Sequence, residues 1–214
     1  LSAEAAEKTR VSAVIPAYNE EKTIGEVVQM CLPHVDEVLV VDDGSGDDTA
    51  INAEAAGARV IRLPKNMGVL KAIETGFNEA AGDTIITLDA DGQHSPDDIP
   101  KLIQPIIDGE ADLVMGVRPS FPHLSEKAIT WVTNLRVTVG DASTGFRAIR
   151  KETASKLRLH GSCLCGTFVL EAAKNGARVK SISVNVAERK HGRRRIRTRH
   201  IKQLFYVAWD ALWF

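Results

Sequence analysis

Three cysteines in 214 residues, Cys31, Cys163 and Cys165, form no framework of evenly spaced pairs. Their scarcity points to a reducing compartment. Cys163-x-Cys165 is too short a spacing for the usual zinc pair and no second pair follows it, so these residues are expected to be small and mostly unreactive. No apolar run approaches the roughly 18 residues that a bilayer-crossing helix needs. An excess charge is missing too: 27 Lys and Arg face 28 Asp and Glu, which excludes strong whole-molecule attraction to nucleic acid or to an acidic surface. Leu1–Arg10 is Ala- and Glu-rich, has no apolar signal core and lacks an initiator Met, as expected of a trimmed chain or a fragment. No Gly-x-Gly-x-x-Gly follows the first β-like run, Gly44-x-Gly46 is too short to replace it, and no Walker-type loop occurs. A bound pyrophosphate therefore has to be held by a metal and basic side chains.

What is present is a strand-helix rhythm. Val11–Pro16 is a β-branched run, and Ile24, Val27, Val28 and Cys31 then recur at helical spacing. Val38–Val41, Arg59–Leu63, Thr84–Leu88 and Asp112–Gly116 are further expected strands, with helices over Ala50–Ala56, Leu70–Ala81 and Ile99–Ile107. Ser95-Pro96 suits the entry to the last of these, as an N-cap followed by Pro in the first turn. Successive strand-helix units with apolar strands imply an α/β fold whose sheet is mostly parallel and covered on both faces. In such a sheet, the loops at the carboxyl ends of the strands share one edge, where ligands bind.

Those loops carry the unusual residues. Tyr18, Asn19 and Glu20 follow the first strand, Asp42 and Asp43 the second, Asp89 and Asp91 the fourth, and Arg118 the fifth. Asp89 and Asp91 stand two apart at the end of a strand, so both can point into one crevice. Paired hard oxygen ligands suit Mg2+ or Mn2+ bridging to a diphosphate. Each loop alone also fits a solvated turn, and Arg118 a surface ion pair; their coincidence on one edge favours a cleft. Basic residues crowd into Arg189–Arg199, and an aromatic tail, Ile201–Phe214, follows. The basic run lacks interleaved aromatics, which argues against nucleic acid and for an anionic membrane surface. Ala128–Val139, with Trp131 and Leu135, fits a second apolar face toward lipid or ordinary core packing.

At Ile15-Pro16-Ala17-Tyr18-Asn19-Glu20, Val41-Asp42-Asp43-Gly44-Ser45, Asn66-x-Gly68, Asp89-Ala90-Asp91-Gly92-Gln93-His94, Gly116-Val117-Arg118 and Asp141-Ala142-Ser143-Thr144-Gly145-Phe146-Arg147-Ala148 the chain resembles family-2 glycosyltransferases of the GT-A, Rossmann-like fold. The likeness is strongest to the dolichyl-phosphate mannose synthase branch. It implies a nucleotide-diphosphate sugar donor, GDP-mannose by default or a UDP-hexose, and a polyprenyl phosphate acceptor at the cytoplasmic face of a membrane. By resemblance, Pro16, Tyr18, Glu20, Val41, Asp43, Asp89 and Ala90 bind the donor. Asp89, Asp91 and Gln93 hold Mg2+ or Mn2+, and Arg118 contacts phosphate or sugar. Arg147, Arg189 and Arg193 meet the acceptor phosphate. Between Arg118 and Asp141 the stretch is shorter than in the branch; Arg136 lies there without an assigned role.

Acceptor chemistry separates the remaining readings. A hydroxyl acceptor must lose a proton, and Asp141 is then the candidate base. A phosphate monoester is largely ionised at neutral pH and needs none. Asp91 is expected to be an exposed loop carboxylate essential for transfer, and Asp91, Asp141, Arg118 and Arg147 are the candidate catalytic residues. A non-catalytic nucleotide-sugar-binding module and, more weakly, a nucleotidyltransferase stand as alternatives. Residues 1–10 are read as an extension, 11–200 as the transferase domain, and 201–214 as a membrane-proximal tail.

Overall fold

The computed structural model describes residues 9–121, 123–187 and 199–214. Strand β1 (Val11–Ala17) leads to helix α1 (Ile24–Cys31), then β2 (Glu37–Asp42), α2 (Thr49–Ala55), β3 (Arg59–Arg62), α3 (Val69–Glu79) and β4 (Thr84–Thr87). Helix α4 (Ile99–Ile107), β5 (Leu113–Val117), α5 (Leu124–Thr133), β6 (Arg147–Arg150), α6 (Lys151–Ala154), α7 (Thr167–Lys174), β7 (Val179–Ser183) and α8 (Arg199–Leu212) complete the described elements. The described strands make one seven-stranded sheet in the order β3-β2-β1-β4-β6-β5-β7.

The first four strands pair in parallel, β1 lying between β2 and β4. Strand β6 is antiparallel to both its neighbours, β4 and β5. The sheet is thus mostly parallel, with one reversed strand that the apolar runs did not announce. Arg147-Ala-Ile-Arg150 has the same four-residue, charge-ended form as β3, but with one β-branched residue where Arg59-Val-Ile-Arg62 has two, and it runs straight on into α6 with no turn between, so it does not stand out as a strand. Strand β7, another missed element, lies beyond β5 at the edge with only partial burial. Because β5 runs parallel to β7 and two reversals separate it from β4, the carboxyl ends of β1, β2, β4 and β5 and the amino end of β6 share one edge.

Alternation along the buried strands sorts the core into two layers. Ala13 and Ile15 pack on the side of α1, α2 and α4. Val14 packs opposite, among Ile73 and Phe77 of α3, Ile129 of α5, Phe168 of α7 and Val207 of α8. Gly76 of α3 is where a helix meets the sheet most closely, since a Cβ there would run into the Val14 side chain. Helix α4 is entered through a 3-10 turn over Pro96–Asp98, and Ser95 makes no side-chain cap bond. The cap position of α4 falls instead on Asp98, whose carboxylate takes the backbone N–H of Asn185 at 2.6 Å and Lys101 at 2.6 Å.

Helix α8 is not an appendage lying apart from this core. Val207 is fully buried and Ala211 is 6% exposed, while Phe205, Trp209, Leu212 and Trp213 face outward. Trp131 and Leu135, from α5 and its end, are also exposed, so the Ala128–Val139 stretch divides: Ile129 belongs to the core and Trp131 does not. No helix among the described residues is long and apolar enough to cross a membrane.

Candidate active site

The loops after β1 and β2 are wired to each other before any ligand arrives. Asn19, with a positive φ of 55°, donates its backbone N–H to Ser45 Oγ at 2.9 Å and accepts the Gly46 N–H on Oδ1 at 2.9 Å. Glu20 donates its N–H to Thr49 Oγ1 at 2.8 Å. Asp42 accepts the Ser45 N–H at 2.9 Å and pairs with Arg62 at 3.2 Å. Asp43 uses both oxygens on the turn before α3, taking the Met67 N–H at 2.6 Å and the Gly68 N–H at 2.9 Å. Gly44 makes this turn possible: φ is 73° and a Cβ would lie 2.5 Å from the Lys65 carbonyl carbon. Of the expected donor-binding residues, Pro16, Tyr18 and Glu20 are half-buried beside this turn; Val41 is fully buried in the core and Ala90 nearly so, which leaves them backbone groups to offer.

At the end of β4 the two aspartates differ, contrary to the expectation of an exposed Asp91. Asp91 is 8% exposed and accepts the Gln93 N–H at 3.0 Å, folding the loop back on itself. Asp89 lies on the cleft floor, walled by protein but with 52% of its side chain open to solvent. Burial by those walls works to raise its pKa, yet the hydrogen bond and charge of His94, together with Arg147 and Arg118, outweigh it and hold the carboxyl below its ordinary value. His94 Nε2 stands 3.3 Å from Asp89 Oδ2, and its ring lies 5.1 Å from that of Phe146. Gly145 closes over the same carboxylate: a Cβ would sit 2.6 Å from both Asp89 oxygens. Gln93 is tied across to the stretch after β7, its carbonyl accepting the Ala187 N–H at 2.8 Å.

Opposite these carboxylates stand two buried arginines. Arg118 grips Asp141 with Nε at 2.6 Å and Nη2 at 3.1 Å, and Nη2 also reaches Glu126 at 3.2 Å. The expected alternative of an exposed ion pair is replaced by a buried triad, with side-chain exposures of 9% for Arg118, 0% for Asp141 and 3% for Glu126. Burial opposes the charge on Arg118, but Asp141 and Glu126 more than offset this and raise its pKa. Asp141 also accepts the Ser143 N–H at 2.9 Å, so its oxygens are occupied and enclosed. That is a poor setting for the base role considered above, which requires a carboxylate that can reach an acceptor hydroxyl. Arg147 is 2% exposed and its guanidinium lies 4.5 Å over the Phe168 ring. Its Nε and Nη1 have no hydrogen-bond partner among the described residues, and burial lowers its pKa.

Arg136 lies away from this cleft, donating to the Ala211 carbonyl of α8 at 2.6 Å. Arg189 and Arg193, expected at the acceptor phosphate, lie outside the described residues. Sequence reasoning missed Glu126 and the bridging role of His94. The second has a signal in hindsight, since His94 follows Asp89 by five residues on a loop that must turn back. Glu126 has none, for its carboxylate comes from a helix with an ordinary apolar pattern.

A divalent ion fits the chemistry of the Asp89, Asp91 and Gln93 set, which offers carboxylate and amide oxygens to a hard cation, with Asp89 ionised and open. These residues do not by themselves enclose an ion: among the described residues they form no group of three His, Cys, Asp or Glu donors within 4.8 Å. Substrate phosphate and water would complete the shell, as is usual for Mg2+.

The comparisons with known proteins agree with this geometry. Residues 12–170 match the model described as glycosyl transferase family 2. The chain is 33% identical over 208 residues to the UDP-N-acetylglucosamine–dolichyl-phosphate N-acetylglucosaminyltransferase of Methanococcus voltae, covering 80% of this chain and 83% of that one. It is 34% identical over 173 residues to the dolichol-phosphate mannosyltransferase of Pyrococcus furiosus, covering 71% of this chain but only 49% of the relative. Among solved structures, glucosyl-3-phosphoglycerate synthase from Mycobacterium tuberculosis, in complex with Mn2+, UDP and phosphoglyceric acid, superposes with a TM-score of 0.79 at 26% identity, covering 96% of this chain and 78% of that one. A mostly parallel sheet with carboxylates and buried arginines converging at one edge, and a family match through most of the sheet, lead to one conclusion: the chain belongs to glycosyltransferase family 2 and has the GT-A fold.

Proposed function

We propose that this protein is a metal-dependent, inverting hexosyltransferase that carries a sugar from a nucleotide-diphosphate donor to a polyprenyl phosphate at the cytoplasmic face of a membrane. The observation that carries the choice of acceptor is the Arg118–Asp141 pair. The carboxylate that a hydroxyl acceptor would need as its base is fully enclosed and held by a guanidinium through both oxygens. A phosphate acceptor needs no base. It needs cations, and Arg147 has two buried donor nitrogens without partners. A buried donor left unpaired costs about 1–3 kcal/mol, and an acceptor phosphate would meet that need.

In this reading, the Asn19–Ser45 and Asp43–Gly68 wiring fixes a pocket in which Pro16, Tyr18 and Glu20 meet the nucleoside. Asp89, Asp91 and Gln93 would hold Mg2+ or Mn2+, which supplies positive charge where the leaving diphosphate gains negative charge. Gly145 keeps the floor low enough for the sugar-phosphate to approach Asp89. Arg118 and Arg147 orient the acceptor phosphate, whose oxygen attacks the anomeric carbon as the bond to the diphosphate breaks; the nucleoside diphosphate leaves with both electrons of that bond. One displacement inverts the anomeric centre and requires no enzyme-bound sugar. The exposed apolar face made by Trp131, Leu135, Phe205, Trp209 and Trp213 supports a membrane-facing orientation, since such rings favour the headgroup zone. The relatives' names differ in the sugar moved, mannose in one, N-acetylglucosamine in another, and galacturonate or 4-deoxy-4-formamido-L-arabinose in others. By the motif resemblance, mannose from GDP-mannose is the first donor to try.

The test is nucleoside diphosphate release from a panel of GDP- and UDP-sugars, with Mn2+ or Mg2+, with and without a short polyprenyl phosphate. Release that depends on the lipid phosphate and vanishes in excess chelator is expected. Release that ignores lipid phosphate but responds to a hydroxyl acceptor, and stops in Asp141→Asn, would overturn the assignment of the acceptor.

A further inference from the structure

Away from the cleft carboxylates, one group of side chains has no part in the proposed transfer. Cys163, Cys165 and His200 bring their ligand atoms within 4.8 Å of one another. The two cysteines sit on the loop before α7 and are not joined in a disulfide; the histidine comes from the first turn of α8. The short Cys-x-Cys spacing alone excluded a zinc pair, but it could not reveal a third donor 35 residues further on.

The cluster is built rather than accidental. Gln203, one helical turn after His200 and fully buried, accepts the Ser162 N–H at 2.8 Å and the Cys163 N–H at 3.1 Å on one amide atom. With the other it donates to the Cys165 carbonyl at 2.8 Å and to Thr167 Oγ1 at 3.1 Å. A single side chain of α8 therefore fixes the backbone of both cysteines against the same helix face that presents the imidazole. On the other side of His200, Ser125 Oγ lies 2.9 Å from Nδ1. That contact orients the ring and leaves Nε2 for the thiols, the arrangement in which an outer hydrogen bond sets the working nitrogen of a metal-binding histidine.

We propose that Cys163, Cys165 and His200 form a binding site for a zinc-class divalent ion that pins α8 to the loop before α7. Two sulfurs and an imidazole are a borderline-soft donor set, suited to Zn2+ and unlike the oxygen set at Asp89 and Asp91. A tetrahedral centre with Zn–S of about 2.3 Å spaces its donors roughly 3.5–4 Å apart, within reach of the observed cluster. Water takes the fourth position. Both thiols lose their protons on binding, so two protons are released and the two thiolates cancel the charge of the ion. Without metal, the hydrogen bond with Cys163 and burial hold the Cys165 thiol well above its ordinary pKa; His200 and Arg147 act in the opposite direction. The nearby Arg147 guanidinium thus favours the thiolate form that the ion requires.

Cobalt titration of the reduced full chain tests the site without reference to transferase activity. One equivalent of Co2+ is expected to give a thiolate-to-cobalt absorption in the near ultraviolet and intense tetrahedral bands in the visible, both erased by one equivalent of Zn2+. Cys165→Ser is expected to cut the thiolate band to about half or less, the double variant Cys163→Ser/Cys165→Ser to abolish it, and Ser125→Ala to weaken binding roughly tenfold. Cys31→Ser and Asp91→Asn should leave the spectrum unchanged. Only the weak spectrum of oxygen-bound cobalt in the wild-type chain, or a thiolate band undiminished in Cys165→Ser or still present in the double variant Cys163→Ser/Cys165→Ser, would overturn the proposal.

Discussion

The two halves of the cleft are finished to different degrees. On the side formed by β1, β2 and α3, polar groups are matched to partners within the chain: Asn19 with Ser45 and Gly46, Asp42 with Ser45 and Arg62, Asp43 with Met67 and Gly68. On the side formed by β5, β6 and α7, Arg147 is buried with two donors unpaired, and α8 presents exposed aromatic side chains. Polar groups in the first half hold the fold, whereas in the second some await something the chain does not provide. Polar substitutions are therefore expected to have opposite effects on stability in the two halves.

The largest effect is expected at the boundary between the halves. Asp91→Asn keeps an oxygen for the Gln93 N–H but removes the charge, so turnover should fall by about 100- to 1,000-fold, the usual scale for losing one preorganised electrostatic contact. The thermal midpoint should hardly move. A large loss of stability instead would mean that Asp91 belongs with the internally matched groups, and the contrast between the halves would lose its dividing line.

Arg147→Met sharpens the comparison most directly. Methionine can lie against Phe168 as the guanidinium does, without a charge or unpaired donors. Stability should rise, by about 1–3 kcal/mol if the penalty for unpaired buried donors is recovered, while transfer to a lipid phosphate drops about a hundredfold or more. Thermal unfolding and steady-state kinetics on one preparation check both signs. A variant that is both less stable and less active would place Arg147 among the structural ion pairs with Asp89.

Asp43→Asn is the counterpart in the finished half. The amide retains one acceptor for the Met67 and Gly68 N–H groups and turns an NH2 toward the other. A loss of about 1–2 kcal/mol is expected from the broken charge-assisted bond and the facing donors, measurable as a lower denaturant midpoint with an unchanged slope. Equal and opposite stability changes in Asp43→Asn and Arg147→Met would be the clearest statement of the difference between the halves.

How much of this was legible in the sequence follows the same division. Strands β1, β2, β4 and β5 announce themselves as apolar runs and β3 as a β-branched pair, and the loops at their carboxyl ends place Asn19, Asp43, Asp89, Asp91 and Arg118 on one edge because topology alone forces it. Reversed strand β6 matches β3 in length and charged ends but has a single β-branched residue and passes directly into α6, so nothing in the sequence separates it as a strand or gives its direction. Which of two aspartates at the end of β4 is open, and that Arg118 is held by Asp141 and Glu126, depend on side-chain contacts between residues 2 to 23 positions apart. Pattern reading has no access to such pairings. The Cys163, Cys165 and His200 cluster was illegible for the same reason, since its third member arrives on α8.

The smallest effect concerns the far end of the less finished half. At the start of β5, opposite the cleft edge, Asp112 accepts from Arg178 Nε and Nη2 at 2.9 Å and pairs with Arg150 at 3.2 Å. The Arg178 hydrogen bonds hold its carboxyl down at about 2, against the modest opposing influence of burial. An unfolded aspartate titrates at about 3.9, so the folded state binds the proton less readily. This contribution is fully present above the unfolded value and is lost as pH falls through the folded one, between about pH 4 and pH 2. Asp112→Asn should therefore flatten the acid limb of the stability curve in that window and lower stability slightly at neutral pH. Both effects should shrink in high salt, because the Arg178 side chain is largely exposed. Acid titrations of the two proteins followed by circular dichroism decide it. If the limb is unchanged, this pair contributes nothing to folding, and the incompleteness of the β5–β7 half extends beyond the cleft edge to the whole of that side of the sheet.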